Sequence, residues 1–192
     1  MIKDRKGGQV MDAAEKMKYK LADSMKELME HYPAEKITVK QIVDNCGVTR
    51  PTFYRYFKDK YDLVNWHFDK LVQKSFQEMG GSLNLQEGLR KKFEFIKGEG
   101  KFFPAAFSCE NQNCLKEYDY EWFYQFYRDM VHDAGIKEIP QDMEFLLKMY
   151  CRGSIHMTAE WATTGMKVSP EEMAERLMEA LPPKLQDLFK DI

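Results

Sequence analysis

Apolar residues along this chain return every third or fourth position, the spacing of helices rather than strands. Met17, Leu21, Met25, Leu28 and Tyr32 form one such series and predict a helix from Asp12 to His31, closed by Pro33. Val39, Ile42, Val43 and Cys46 predict a second, short helix. Thr38 and Gln41 stand at the spacing of a capping box at its start, and Gly47 follows its end. A third helix is expected after Thr49, a good N-cap, with Pro51 in its first turn and Val48, Phe53 and Phe57 facing inward. Asp59 is placed to cap a fourth helix from Lys60 to about Met79, with Val64, Phe68, Leu71, Ser75 and Met79 as its inner stripe. Gly80, Gly81 and Ser82 break it. Further helices are predicted at about 84–98, 101–108, 111–134, 140–165 and 169–181, with one more turn at 184–190. The helix at 169–181 carries the clearest start: Ser169 as cap, Pro170 at the first position, and Glu172 completing a capping box. The fold class is therefore all-α.

The second and third helices, joined by a tight glycine turn, make a helix-turn-helix candidate. Once Phe53 and Phe57 go inward, the third helix is left with Arg50, Pro51, Thr52, Tyr54, Arg55 and Tyr56 outside. That face holds two guanidinium forks, a hydroxyl and two phenols, and no carboxylate. Arginine can hold the O6 and N7 of guanine through two hydrogen bonds, threonine can meet a thymine methyl, and tyrosine can reach phosphate or sugar. Thr38 and Lys40 at the start of the second helix, and Lys60 with Lys58 at the start of the fourth, stand where backbone N–H groups and the helix dipole favour anions.

Charge supports this division. The chain of 192 residues has a formal net charge of −2, yet residues 1–60 hold 13 Lys+Arg against 9 Asp+Glu, leaving 16 against 22 in the remainder. A basic front and an acidic back direct only the front at a polyanion. Hydrophobic residues make up 44% and charged residues 31%, enough for a packed core under a solvated surface. No apolar run reaches membrane-spanning length, and the first twelve residues lack the apolar stretch of a signal peptide, so a cytoplasmic location and no membrane partner are expected. Cys46, Cys109, Cys114 and Cys151 show no zinc-ligand spacing and read as reduced, mostly buried thiols. No nucleophile elbow, phosphate-cradling glycine loop or paired acidic motif occurs, so neither an enzyme, a metal site nor a cofactor is expected.

The stretches Lys36 to Ile42 and Cys46 to Lys60 resemble the DNA-binding domain of the TetR family of bacterial regulators, a likeness that extends over residues 15–66. Trp161 to Gly165 followed by Ser169 to Glu172 is similar to the end of the C-terminal domain in Firmicutes-type members, among them activators of dihydroxyacetone kinase genes. The resemblance implies a helix-turn-helix DNA-binding domain over 1–60 and a helical effector-binding and dimerisation domain over 61–192. It implies phosphate contacts from Thr38, Lys40 and Lys60, and base and phosphate contacts from Thr49, Arg50, Pro51, Thr52, Tyr54, Arg55 and Tyr56. It implies a homodimer on near-palindromic double-stranded DNA, with the last two long helices packing against their counterparts. Phe145, Met149, Arg152, His156 and Ala159, then Met173, Leu177 and Leu181, are candidates for that interface. It also implies a cavity for a small, mostly apolar effector. Phe93, Phe103, Phe107, Phe126, Tyr127, Met130, Met149 and Trp161 are the expected walls, with Arg152 and His156 as polar contacts. The alternative is a regulator that works mainly through a protein partner and has no pocket of its own.

Overall fold

The structure is a computed structural model that describes residues 12–76, 84–110 and 114–189. Among these residues there are ten α-helices and no strand: α1 (Ala13–Met29), α2 (Val39–Cys46), α3 (Arg50–Tyr56), α4 (Lys60–Phe76), α5 (Leu85–Gly98), α6 (Phe102–Phe107), α7 (Leu115–Asp133), α8 (Gln141–Thr163), α9 (Pro170–Glu179) and α10 (Pro183–Phe189).

The caps set the helix starts. Asp12 accepts from the Glu15 N–H at 2.6 Å and opens α1. Thr38 and Gln41 form the expected reciprocal box: Thr38 Oγ1 accepts from the Gln41 N–H at 3.2 Å, and Gln41 Oε1 accepts from the Thr38 N–H at 2.9 Å. Such a cap stabilises a helix by about 1 kcal/mol. Gly47 closes α2 at φ 66°, in the left-handed region where a side chain would add strain. Asp59 Oδ1 accepts from the N–H groups of Tyr61 and Asp62 and opens α4. Asn84 and Glu87 form a second complete box at the start of α5.

Some expectations at helix ends need correction. α1 stops at Met29 rather than His31, because the next N–H groups turn back to Glu27 and Leu28. Tyr32, expected on its inner face, is 49% exposed. At α9 the box is half made. Ser169 accepts from the Glu172 N–H at 3.1 Å, but the Glu172 carboxylate holds Arg176 at 2.6 Å instead of reaching back. Glu172 had two partners within reach, and the cation one turn on is the one it meets. The first residues of the helix expected at 111–134, the Ser75 side chain, Met79, the Gly80-Gly81-Ser82 break and Lys190 lie outside the described residues.

α1, α2 and α3 pack on one another, and α1 also packs on α4. α4 continues into the second part, where it meets α5 and α7; α5 packs on α9, and α8 packs on α6 and α7. One hydrophobic core runs through both parts. Trp66 of α4 meets Tyr19 and Phe57 at ring-centroid distances of 5.0 and 5.6 Å, toward the first part. Phe68, on the same helix, meets Phe103 and Tyr118 at 6.1 and 6.3 Å, toward the second. α4 is thus a shared beam whose two faces tie the small front unit to the larger body.

Candidate nucleic-acid interface

α3 is short because its sequence gives it two anchors and two stops. Phe53 is wholly buried and Phe57 nearly so, one turn apart. Thr49 caps the start, and Phe57 leaves helical geometry at φ −138°. Replacing a buried phenylalanine with alanine costs about 3–5 kcal/mol, so the seat of α3 is firm. What it carries outward is what the sequence predicts: Arg50, Pro51, Tyr54 and Arg55 are exposed, Tyr54 at 57%. Thr52 and Tyr56 are half-buried, and Tyr56 packs against the core with part of its ring. Arg50 and Arg55 form no ion pair with a described residue.

The other expected contact residues are already engaged. The Thr49 and Thr52 hydroxyls lie 2.9 Å apart, and Thr49 Oγ1 also accepts from the Thr52 N–H at 3.4 Å. Thr38 donates its hydroxyl to Gln41 Oε1 at 2.8 Å. Lys40 Nζ lies 2.5 Å from Asp44 Oδ2, one turn along α2. Both side chains of that pair are exposed, so the pair is worth only a few tenths of a kcal/mol and a phosphate can replace the carboxylate.

Lys60 departs most from its expected role. Its ammonium donates to the carbonyls of Ala34, Glu35 and Ile37 at 2.8, 2.7 and 2.7 Å. An ammonium has three donors, and all three are used. Lys60 therefore fastens the start of α4 to the 3-10 turn Ala34–Lys36 and leaves no N–H for a phosphate. Burial lowers its pKa, opposed by the neighbouring Cys109, Glu35 and Asp59. No sequence signal marks this clamp, because the three carbonyls come from a loop some 25 residues away. The Lys40–Asp44 pair was visible as an i, i+4 spacing.

The expected effector walls are dispersed. Phe93, Phe103, Phe107, Tyr127 and Met130 are buried core residues, and Phe126 is half-buried beside Trp122. Met149 is 60% exposed, and Arg152 and His156 are exposed on the same outward face of α8. Arg152 holds Glu117 with two contacts of 2.7 Å and stacks on Tyr120. These three belong to the surface, because helical spacing put them together without saying which side faced in. A groove of about 440 Å³ does open between α8 and α9, lined by Met157, Trp161, Val168, Met173 and Leu177 among others; of the ten expected residues only Trp161 borders it.

Two polar clusters, one fully buried and one partly buried, have no signature in the sequence. Lys92 and Asp119 are 3% and 0% exposed and pair at 3.2 Å through both carboxylate oxygens, with the ammonium 3.8 Å from the Phe123 ring centre. At the joint between front unit and body, Glu99 bridges Lys26 of α1 and His67 of α4, the ring nitrogen lying 3.5 Å away. His67 and then Lys26 hold the Glu99 carboxyl down to about 2, against the opposing effect of burial. Among the described residues no group of three or more possible metal ligands occurs, and no helix is long and apolar enough to cross a membrane.

Comparison with known proteins agrees with this geometry. Residues 23–65 match the family described as bacterial regulatory proteins, tetR family, and residues 83–182 match a transcriptional regulator C-terminal region. A sequence search among curated proteins finds no match. Among solved structures, the dihydroxyacetone kinase operon activator DhaS superposes with a TM-score of 0.63 at 16% identity, covering 91% of this chain and 97% of that one. The fatty acid degradation regulator FadR from Bacillus halodurans gives 0.60 at 13%, covering 90% and 96%. A TetR transcriptional regulator from Streptococcus agalactiae 2603V gives 0.58 at 18%, covering 88% and 96%. At such identities the likeness speaks for the fold.

Proposed function

The chain belongs to the TetR family of DNA-binding transcriptional regulators, and we propose that it acts as a homodimer whose two α3 helices read the half-sites of a near-palindromic operator. The observation that carries this reading is the outward face of α3: two exposed arginines and an exposed tyrosine, no carboxylate, on a helix pinned by Phe53 and Phe57. In this reading residues 1–60 are the reading head and 61–192 the effector-binding and dimerisation body. Arg50 and Arg55 hold guanine edges. Thr52 turns its methyl to a base while its hydroxyl stays with Thr49. Tyr54 and Tyr56 reach phosphate or sugar, Thr49 and Pro51 bring the start of α3 against the backbone, and Thr38 and Lys40 clamp phosphates from α2. Lys60 supports the head from behind. Selection of bound duplexes from a random pool tests the reading. A near-palindrome should emerge; enrichment of single half-sites, or of nothing, would overturn it.

Control by a small effector follows as a two-state equilibrium in which the ligand binds one spacing of the heads better than the other. α4 is the natural transmitter, since Trp66 packs toward the head and Phe68 toward the body. The second reading, control by a protein partner, draws support from the dispersal of the expected wall residues between core and outer surface. Calorimetric screening of apolar small molecules against the full chain separates the two, because only the first reading expects a binder that also shifts operator affinity.

A further inference from the structure

We propose that the groove between α8 and α9 binds an aromatic carboxylic acid, its ring lying against Trp161 and the flanking methionines and its carboxylate held by Lys167 and Arg176. This rests on the effector reading above. It goes beyond that reading by placing the ligand away from the expected walls and by naming its chemical class.

The groove is built from two matching helix faces. α8 contributes Met157, Glu160 and Trp161, and α9 contributes Met173, Arg176 and Leu177, each set at i, i+3 and i+4. Each face thus carries two apolar side chains and one charge. Trp161, Met173 and Leu177 are buried and form the floor, whereas Met157 is 49% exposed and stands at the rim. The volume of about 440 Å³ falls in the range of small-molecule sites. An indole and two thioethers suit an aromatic ring, because rings pack edge to face and sulfur packs well against a ring.

The turn from α8 to α9 closes one end of the groove, and Trp161 fixes it twice. Its carbonyl accepts from the Met166 N–H at 2.9 Å, and its indole N–H donates to the Val168 carbonyl at 2.9 Å. Met166 sits at φ 50°, directly after Gly165 at φ 94°. A non-glycine residue in the left-handed region is strained, and such strain gathers at ligand sites. Lys167 follows on this turn; it lines the groove, is exposed and forms no ion pair with a described residue. Arg176 holds Glu172 one turn back at 2.6 Å, but both side chains are exposed, so a ligand carboxylate can replace Glu172 at little cost. The arginine fork meets a carboxylate with two hydrogen bonds. Lys167 and Arg176 against Glu160 leave the groove one positive charge in excess, and its complement is an anion. Met173 and Leu177 are also candidates for the surface between copies, so a ligand seated on them bears on the spacing of the two heads.

The test uses the full chain and 2-naphthoate as probe, with 2-naphthylmethylamine as its cationic counterpart, in titration calorimetry. Circular dichroism controls for folding and analytical ultracentrifugation for assembly. Naphthoate should bind saturably and the amine should not. Lys167→Glu and Arg176→Gln should each weaken naphthoate binding about five- to ten-fold. Glu160→Gln should strengthen it about two-fold, since a like charge is removed. Met157→Asp should weaken it about ten-fold or more, by setting a carboxylate beside the ring. The four side chains lie outside the core, so these variants should stay folded. No saturable binding up to millimolar naphthoate, or binding that all four changes leave alone, would overturn the site while the effector reading stands for other ligands. A groove covered by a second copy would show as Met157→Asp altering assembly with no naphthoate bound, and would overturn the site as well. Binding in the expected pattern that left operator affinity unchanged would uphold the site and count against the effector reading.

Discussion

Arg50 and Arg55 differ from Lys40 and Lys60 in being exposed and unpaired among the described residues. Each is expected to cost about 1–3 kcal/mol on the preferred operator when replaced by alanine, and much less on random DNA. Fluorescence anisotropy with both duplexes checks this, and equal losses on the two would show phosphate contacts only. Lys40 and Lys60 make the complementary pair. Lys40 needs only to leave Asp44 to meet a phosphate, so Lys40→Ala should reduce the salt slope of operator binding by about two for the dimer. Lys60→Met should leave that slope unchanged and instead destabilise the fold by about 1–3 kcal/mol in urea titrations, because three loop carbonyls lose their donor. A slope that flattened in Lys60→Met would return this lysine to the phosphate contacts. The contrast also marks how far single residues were legible. That Phe53 and Phe57 go inward and Arg50, Tyr54 and Arg55 outward follows from period alone. That Lys60 turns back to a loop is set by tertiary placement.

Elements were legible where their ends carry chemistry. The Thr38–Gln41 box, Gly47 and the Thr49 cap place α2 and α3 to within a residue, since each device satisfies backbone groups that have no other partner. Faces were less legible on α8, where Met149, Arg152 and His156 share one side at helical spacing, yet that side is the outer one. Periodicity states that residues share a face and leaves open what the face meets. Pairings between distant elements, such as Lys92 with Asp119 or Glu99 with Lys26 and His67, have no sequence signature. The Glu99 bridge has a measurable consequence. Its carboxyl titrates at about 2 in the fold against 4.5 as its ordinary value, so the ionised form is favoured by folding. The stabilisation is full above about pH 5 and is lost as pH falls through 2, and its size is at most roughly 3 kcal/mol. Wild type and Glu99→Gln should therefore differ most in urea stability at pH 5 and above and converge toward pH 2. A constant difference across that range would remove Glu99 from the acid response of the joint.

At the scale of the whole molecule, the proposed reading of a near-palindrome needs two heads held at one spacing, and the outward face of α8, with Phe145 and Met149 exposed on it, is the candidate surface for holding them. A dimer meets its second half-site at high effective concentration, so two linked heads can bind 10²–10⁴-fold more tightly than one, on the order expected for avidity. Phe145 lies on α8, in the body, far along the chain from α3. Phe145→Asp should nevertheless lower affinity for a full operator by roughly that factor, while binding to a single half-site duplex hardly changes. The salt slope on the full operator should fall toward half its wild-type value, since one head neutralises half the phosphates. Raising the variant's concentration above its weakened dimer constant should restore full-operator binding, which a misfolded head could not do. Operator affinity that stayed at the wild-type level in a variant shown to be monomeric would mean that each head reads alone, and the role given to the α8 face would then fail.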